Sequence, residues 1–154
     1  MMMLNDGAIA RLREAADEPD LSGTPYTFVE RLARGGMGTI YRVRDARLER
    51  DLALKVLNTD DPTVEMTARL LAEARHLARL EHPNIVPVHD AGTLPDGRPW
   101  YAMKLVRGVP LPAWRSRSPL LPAMLRLFQK ICEAVAFAHA HGVLHRDLKP
   151  DNIM

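Results

Sequence analysis

Apolar and polar residues alternate in three short runs near the start of the chain. "YTFVERL" (Tyr26–Leu32), "TIYRVRD" (Thr39–Asp45) and "DLALKVL" (Asp51–Leu57) each alternate with period two between turn residues, so each predicts a strand. The short turns between them favour antiparallel pairing. The period then changes. Met66, Leu70, Ala74, Leu77 and Leu80 fall on one stripe at about 100° per residue, the mark of an amphipathic helix. Asp61 is placed to cap it with Pro62 at its first position, and it stops before His82–Pro83. "IVPVHDAG" and "WYAMKLV" predict two further strands around the turn "LPDGRP". Pro110, Pro112, Pro119 and Pro122 punctuate a connector. A long helix is predicted from Leu121 to His141, with Gly142 as its stop, and then the loop "VLHRDLKPDN". The order is β-β-β-α-β-β, then α: an α+β chain with a five-stranded, mostly antiparallel sheet and one inserted helix. Residues 1–24 form a polar leader, in which Gly7–Ala16 is either a short helix or unstructured.

Composition narrows the reading by exclusion. The 154 residues are 47% hydrophobic and 26% charged, which suits a folded domain. Net charge is +2, with opposite signs interleaved, so no nucleic-acid partner is expected. The arginines at 34, 42, 44, 47 and 50 are read as a solvated face rather than a binding edge. Cys132 is the single cysteine, which excludes an internal disulfide and fits a reduced compartment. No run approaches the roughly eighteen apolar residues of a membrane span, and the leader lacks the build of a signal peptide. A cytoplasmic location is the resulting expectation.

Two features do not fit a purely structural account. Glu73 falls inside the apolar stripe of the first helix, where an unpaired carboxylate is costly. The nearest candidate partner is Lys55, the one charge inside the apolar third strand; the alternative is a stripe-edge glutamate reaching for water. "LARGGMGTIY" places Gly35, Gly36 and Gly38 between two strands. Glycines there allow positive φ and let backbone amides face an anion, although a plain hairpin turn explains such a cluster as well.

Taken in order, these features resemble the eukaryotic-like protein kinases, most closely the bacterial serine/threonine kinases. The resemblance spans Tyr26 to Met154 and rests on "LARGGMGTI", "LALK", Glu73, "HPNIVPVHDAG" and "HRDLKPDN". It implies a small lobe at 25–106 and the start of a large lobe at 107–154. It implies ATP and Mg²⁺ as cofactors and transfer of the γ-phosphate to serine or threonine of a protein substrate. Residue by residue, Leu32, Ala33, Arg34, Gly35, Gly36, Met37 and Gly38 would cover the phosphates, while Ile40 and Ala53 would pack on adenine. Lys55 would hold the α- and β-phosphates, fixed by Glu73. Met103 would lie at the back of the pocket, and Lys104 to Val106 would form the hinge. Asp147 would take the hydroxyl proton, Lys149 would lie near the transferred phosphate, and Asn152 would bind Mg²⁺.

The chain departs from the family pattern at Ala33, where a glycine is usual, and at Lys104, where an acid is common. The resemblance also implies an Asp-Phe-Gly segment with the other metal ligand, an activation segment and further helices, none within residues 1–154. The expectation is an N-terminal kinase portion, inactive or nearly so alone, whose last helix leaves an apolar stripe for a partner to cover. The alternatives are a non-catalytic module that binds nucleotide or a partner, and a small-molecule phosphotransferase of the same general fold. "HAHGVLH" could suggest a metal cluster, but each histidine has a plainer assignment. His139 is expected in the core with Phe128, Ile131, Val135 and an inert, buried Cys132. His141 is expected at the helix C-terminus and His145 in the loop. Trp100 and Trp114 are read as packing residues.

Overall fold

The computed structural model describes residues 18–36, 38–58, 62–117 and 119–154. The expected helix at Gly7–Ala16, the expected cap Asp61 and the loop residue Met37 lie outside them. Five antiparallel strands form one sheet in the order β1-β2-β3-β5-β4. They are β1 (Tyr26–Arg34), β2 (Gly38–Asp45), β3 (Arg50–Leu57), β4 (Val88–Thr93) and β5 (Pro99–Lys104). Helix α1 (Val64–Ala78) joins β3 to β4. Helices α2 (Leu111–Arg115) and α3 (Leu121–Ala140) follow, and a single 3₁₀ turn covers Pro150–Asn152.

The alternation in β3 sorts its residues onto two faces. Leu52, Leu54 and Val56 join Tyr41, Val43, Trp100 and Ala102 in one apolar cluster, with Tyr26 edge-on to Trp100 at 5.6 Å. Leu57 joins Leu70, Ala74 and Tyr101 on the opposite face, under α1. Ala53 and Lys55 share that second face with Leu57, because residues two apart in a strand point the same way. β1 is less regular than its alternation predicts. Its register slips between Phe28 and Glu30 and again between Arg31 and Ala33, so Val29 and Leu32 are extra residues against β2. Both are exposed. Bulges of this kind bend and twist a strand.

Helix α1 is capped by Thr63, not Asp61. The Thr63 hydroxyl accepts the Met66 amide at 3.1 Å, so Pro62 lies before the cap rather than in the first turn. Met66 is exposed, which narrows the core stripe to Leu70, Ala74, Leu77 and the buried Leu80 just past the helix. β4 begins at Val88 rather than Ile85. Proline 87 has no N–H for a ladder, and its carbonyl instead accepts the Lys104 amide at 3.0 Å.

The proline-rich connector contains a helix the pattern did not predict. α2 carries Pro112 in its first turn, where no donor is required. α3 matches its predicted span within a residue, and Pro122 sits in its first turn for the same reason. Its C-terminus is a Schellman motif. The Gly142 amide donates to His139 O and the Val143 amide to Ala138 O, both at 2.9 Å, with Gly142 at φ +73°.

The outward stripe of α3 is where expectation fails. Cys132 and His139 are exposed, not buried, and Phe128 is 65% exposed. Leu120, Leu121 and Leu125 are exposed beside them. The sequence stripe is real, but no other described element packs on it. Only Ala138 of this helix is fully buried, with Ile131 and Val135 half-buried. Trp100 is buried as expected, and Trp114 is half-buried.

Candidate functional site

Lys55 sits in the central strand, flanked in register by Ile40 of β2 and Tyr101 of β5. One step along, Ala53 is flanked by Arg42 and Met103. Cross-strand neighbours share a face, so Ile40, Ala53, Lys55 and Met103 converge on one side of the sheet. Ala53 is buried, and Ile40 and Met103 are half-buried. Glu73 reaches this face from α1, and Lys55 Nζ donates to Glu73 Oε1 at 2.8 Å. The misplaced carboxylate is therefore paired. Tyr101 also donates its hydroxyl to Glu73 Oε1, at 2.8 Å, and Lys55 Nζ lies 5.4 Å from the centre of its ring.

The glycine loop turns between β1 and β2. Ala33 pairs with Ile40 and Arg34 with Thr39, while Leu32 is exposed on the second bulge. The Gly35 amide donates to Gly38 O at 2.9 Å. Positive φ is not the reason for these glycines. Among the described glycines it falls on Gly23, Gly97 and Gly142, not on Gly35, Gly36 or Gly38. Gly38 is required by close approach, since a Cβ there would lie 2.7 Å from the Val56 carbonyl. Gly36 has open space around it.

Asn58, just past β3, clasps this loop at its base. Its Nδ2 donates to Gly35 O at 2.6 Å, and its Oδ1 accepts the hydroxyl of the buried Thr39. Neither Asn58 nor Tyr101 was singled out by the sequence. Register alone could have flagged Tyr101, because it lies directly across from Lys55. No local pattern marks Asn58.

The second cluster lies in the loop after α3. Arg146 adopts φ +57°, an unusual conformation for a side-chain-bearing residue, and the Asp147 amide closes a tight turn onto His145 O at 2.7 Å. Lys149 Nζ is 3.0 Å from Asp147 Oδ2. Asn152 Nδ2 donates to the Asp147 carbonyl at 2.8 Å and to its carboxylate at 3.2 Å. The hydrogen bond from Lys149, then that from Asn152, holds the Asp147 carboxyl below the usual carboxylate range. An ionised, exposed carboxylate oriented by two neighbours can accept a proton. The same hydrogen bonds spend the Asn152 NH₂ group on Asp147 and leave its oxygen as a hard donor that suits Mg²⁺.

The structure thus gathers the expected residues into two networks, one on the sheet and one in the loop. His82, in the turn before β4, stacks on Phe137 of α3 at 5.1 Å, a contact between the two halves of the chain. At the hinge, Lys104 is the last residue of β5 and exposed, with its amide taken by Pro87. Leu105 and Val106 are half-buried and leave the sheet.

Comparison with known proteins agrees with this architecture. The protein kinase domain family matches residues 26–154, and the chain belongs to that family. It is 39% identical over 135 residues to the serine/threonine-protein kinase PknE of Mycobacterium bovis, covering 84% of this chain and 23% of PknE. It is 40% identical over 137 residues to the serine/threonine-protein kinase PknB of Mycolicibacterium smegmatis, covering 84% of this chain and 22% of PknB. A crystal structure of the Mycobacterium tuberculosis PknI kinase domain superposes with a TM-score of 0.68 at 31% identity. That match covers 88% of this chain and 56% of the PknI domain. The chain therefore spans under a quarter of these curated relatives and about half of a solved kinase domain. Among the described residues no helix is long and apolar enough to cross a membrane.

Proposed function

We propose that this chain carries the ATP-holding part of a serine/threonine protein kinase together with its catalytic loop. The observation that carries the reading is the Lys55–Glu73 pair at 2.8 Å, on the face shared with Ile40, Ala53 and Met103. A lysine held by a carboxylate presents fixed positive charge for the α- and β-phosphates, while the apolar residues offer a floor for adenine. The loop at Gly35–Gly38, clasped by Asn58, would cover the phosphates. Asp147 would orient the acceptor serine or threonine hydroxyl and take its proton, with Lys149 beside the transferred phosphoryl group. Asn152 would supply one oxygen to Mg²⁺, which when bound neutralises charge on the phosphate oxygens. The names of the relatives support serine and threonine as acceptors.

The test is γ-phosphate transfer from ATP to a generic serine/threonine protein substrate by the full-length natural gene product. Lys55→Ala and Asp147→Asn serve as controls. Activity lost in both variants supports the reading. Nucleotide binding with no transfer in the parent protein would replace it with the non-catalytic module. Turnover of small alcohols without protein phosphorylation would point to a small-molecule phosphotransferase instead.

A further inference from the structure

Lys55 and Glu73 are held by a third group. Tyr101 is 3% exposed, and its hydroxyl reaches Glu73 Oε1 at 2.8 Å, the same oxygen that Lys55 contacts. Its ring lies beneath the Lys55 ammonium at 5.4 Å. Strand register sets the arrangement, because Tyr101 stands directly across β3 from Lys55. A buried phenol requires a partner, and the Glu73 carboxylate supplies it. Glu73 reaches the pair from α1, whereas Tyr101 belongs to the sheet's own ladder.

We propose that Tyr101 is a positioning residue, tying Glu73 and through it Lys55 into the nucleotide-ready arrangement before any nucleotide binds. Burial first, and then the Glu73 charge, push its phenol well above the ordinary tyrosine range, so it remains a donor at any working pH. Its ring adds a cation–π contact that keeps the ammonium over β5. Two anchors on one oxygen leave Glu73 less freedom to swing outward than the lysine alone would. The catalytic meaning of this role rests on the nucleotide reading given above.

The experiment reads Lys55 directly and needs no nucleotide. The chain is pulsed with an amine-acetylating reagent, and modification at Lys55 is measured by peptide mass spectrometry relative to exposed Lys130. Tyr101→Phe keeps the ring and removes the donor. It is expected to raise Lys55 labelling about two- to tenfold, the range set by one side-chain hydrogen bond. Glu73→Gln is expected to raise it as well, and the double variant to add nothing beyond Glu73→Gln, since Tyr101 acts through Glu73. Unchanged labelling in Tyr101→Phe would overturn the proposal. So would an equal increase in the Glu73→Gln background, which would mark a packing role. Tyr101→Met, an apolar side chain with no donor, must repeat the Phe result if Phe folds poorly. Shielding of Lys55 by MgATP in the parent chain is read separately. Its absence would sink the nucleotide site, while the labelling ratios would still decide whether Tyr101 holds the pair.

Discussion

At the scale of single residues, room and charge decide the outcome. A methyl at Gly38 would meet a backbone carbonyl at 2.7 Å, and backbone cannot step aside as a side chain can. Gly38→Ala is expected to lower stability by about 1–3 kcal/mol. Gly36→Ala, in open space, should stay within about 0.5 kcal/mol. Urea denaturation of the two variants separates them, and equal losses would refute the close-approach account. Asp147 allows a test of charge. Its carboxyl is held low by Lys149 and Asn152. NMR titration should therefore place its midpoint below the ordinary value of about 3.9, and Lys149→Ala should move it upward. A midpoint indifferent to Lys149 would remove that lysine from the account.

At the scale of elements, the sheet is tied together by charge on the face that carries Ala53 and Lys55, and its helix is fixed by a cap. Asp51 of β3 accepts from Arg42 at 2.6 Å and Arg44 at 3.2 Å, with Arg107 beyond the hinge at 3.6 Å. The arginines read as a solvated face are thus partly an ion network. The hydrogen bond from Arg42, then that from Arg44, lowers the Asp51 carboxyl pKa. A depressed folded-state value means the stability from this charge is complete above the unfolded pKa of about 3.9. It is lost as pH falls through the lower folded value. Asp51→Asn should flatten the acid limb of a urea-midpoint profile between about pH 2 and 5, where the parent slopes downward. At the helix, Thr63→Ala should cost about 1 kcal/mol, since the Met66 amide loses its acceptor. A thermal unfolding midpoint left in place by that change would refute the Thr63 cap.

At the scale of the whole molecule, the two halves differ in how well they are covered. The sheet half closes two apolar clusters on its own faces. The α3 half exposes Leu120, Leu121, Leu125 and Phe128 along one stripe. An apolar surface of that kind drives association in water. The chain alone is expected to bind a hydrophobic dye and to self-associate as concentration rises. Leu125→Glu with Phe128→Glu should suppress both, as read by light scattering. Identical behaviour of parent and variant would show that the stripe is not what associates.

Much of the fold and half of the site were legible in the sequence, for reasons that are local. Period-two alternation located β2 and β3 within one residue, because the pleat fixes which side each residue faces. The Glu73 position within an apolar stripe forced a search for a cation, and Lys55 was the one charge in the strand beneath it. Gly142 ended α3 because positive φ there is a local demand. What lay beyond the sequence was set by contacts between segments. The bulges at Val29 and Leu32 follow from how β1 bends over β2. Gly38 is glycine because β3 passes close by, not because its own φ is unusual. Tyr101 joined the site through strand register, and Asn58 through the arrival of β3 beside the loop. Cys132 and His139 have the spacing of core residues, but periodicity states only which face is apolar. Whether anything packs on that face is decided by the rest of the structure, and here their side of α3 meets water.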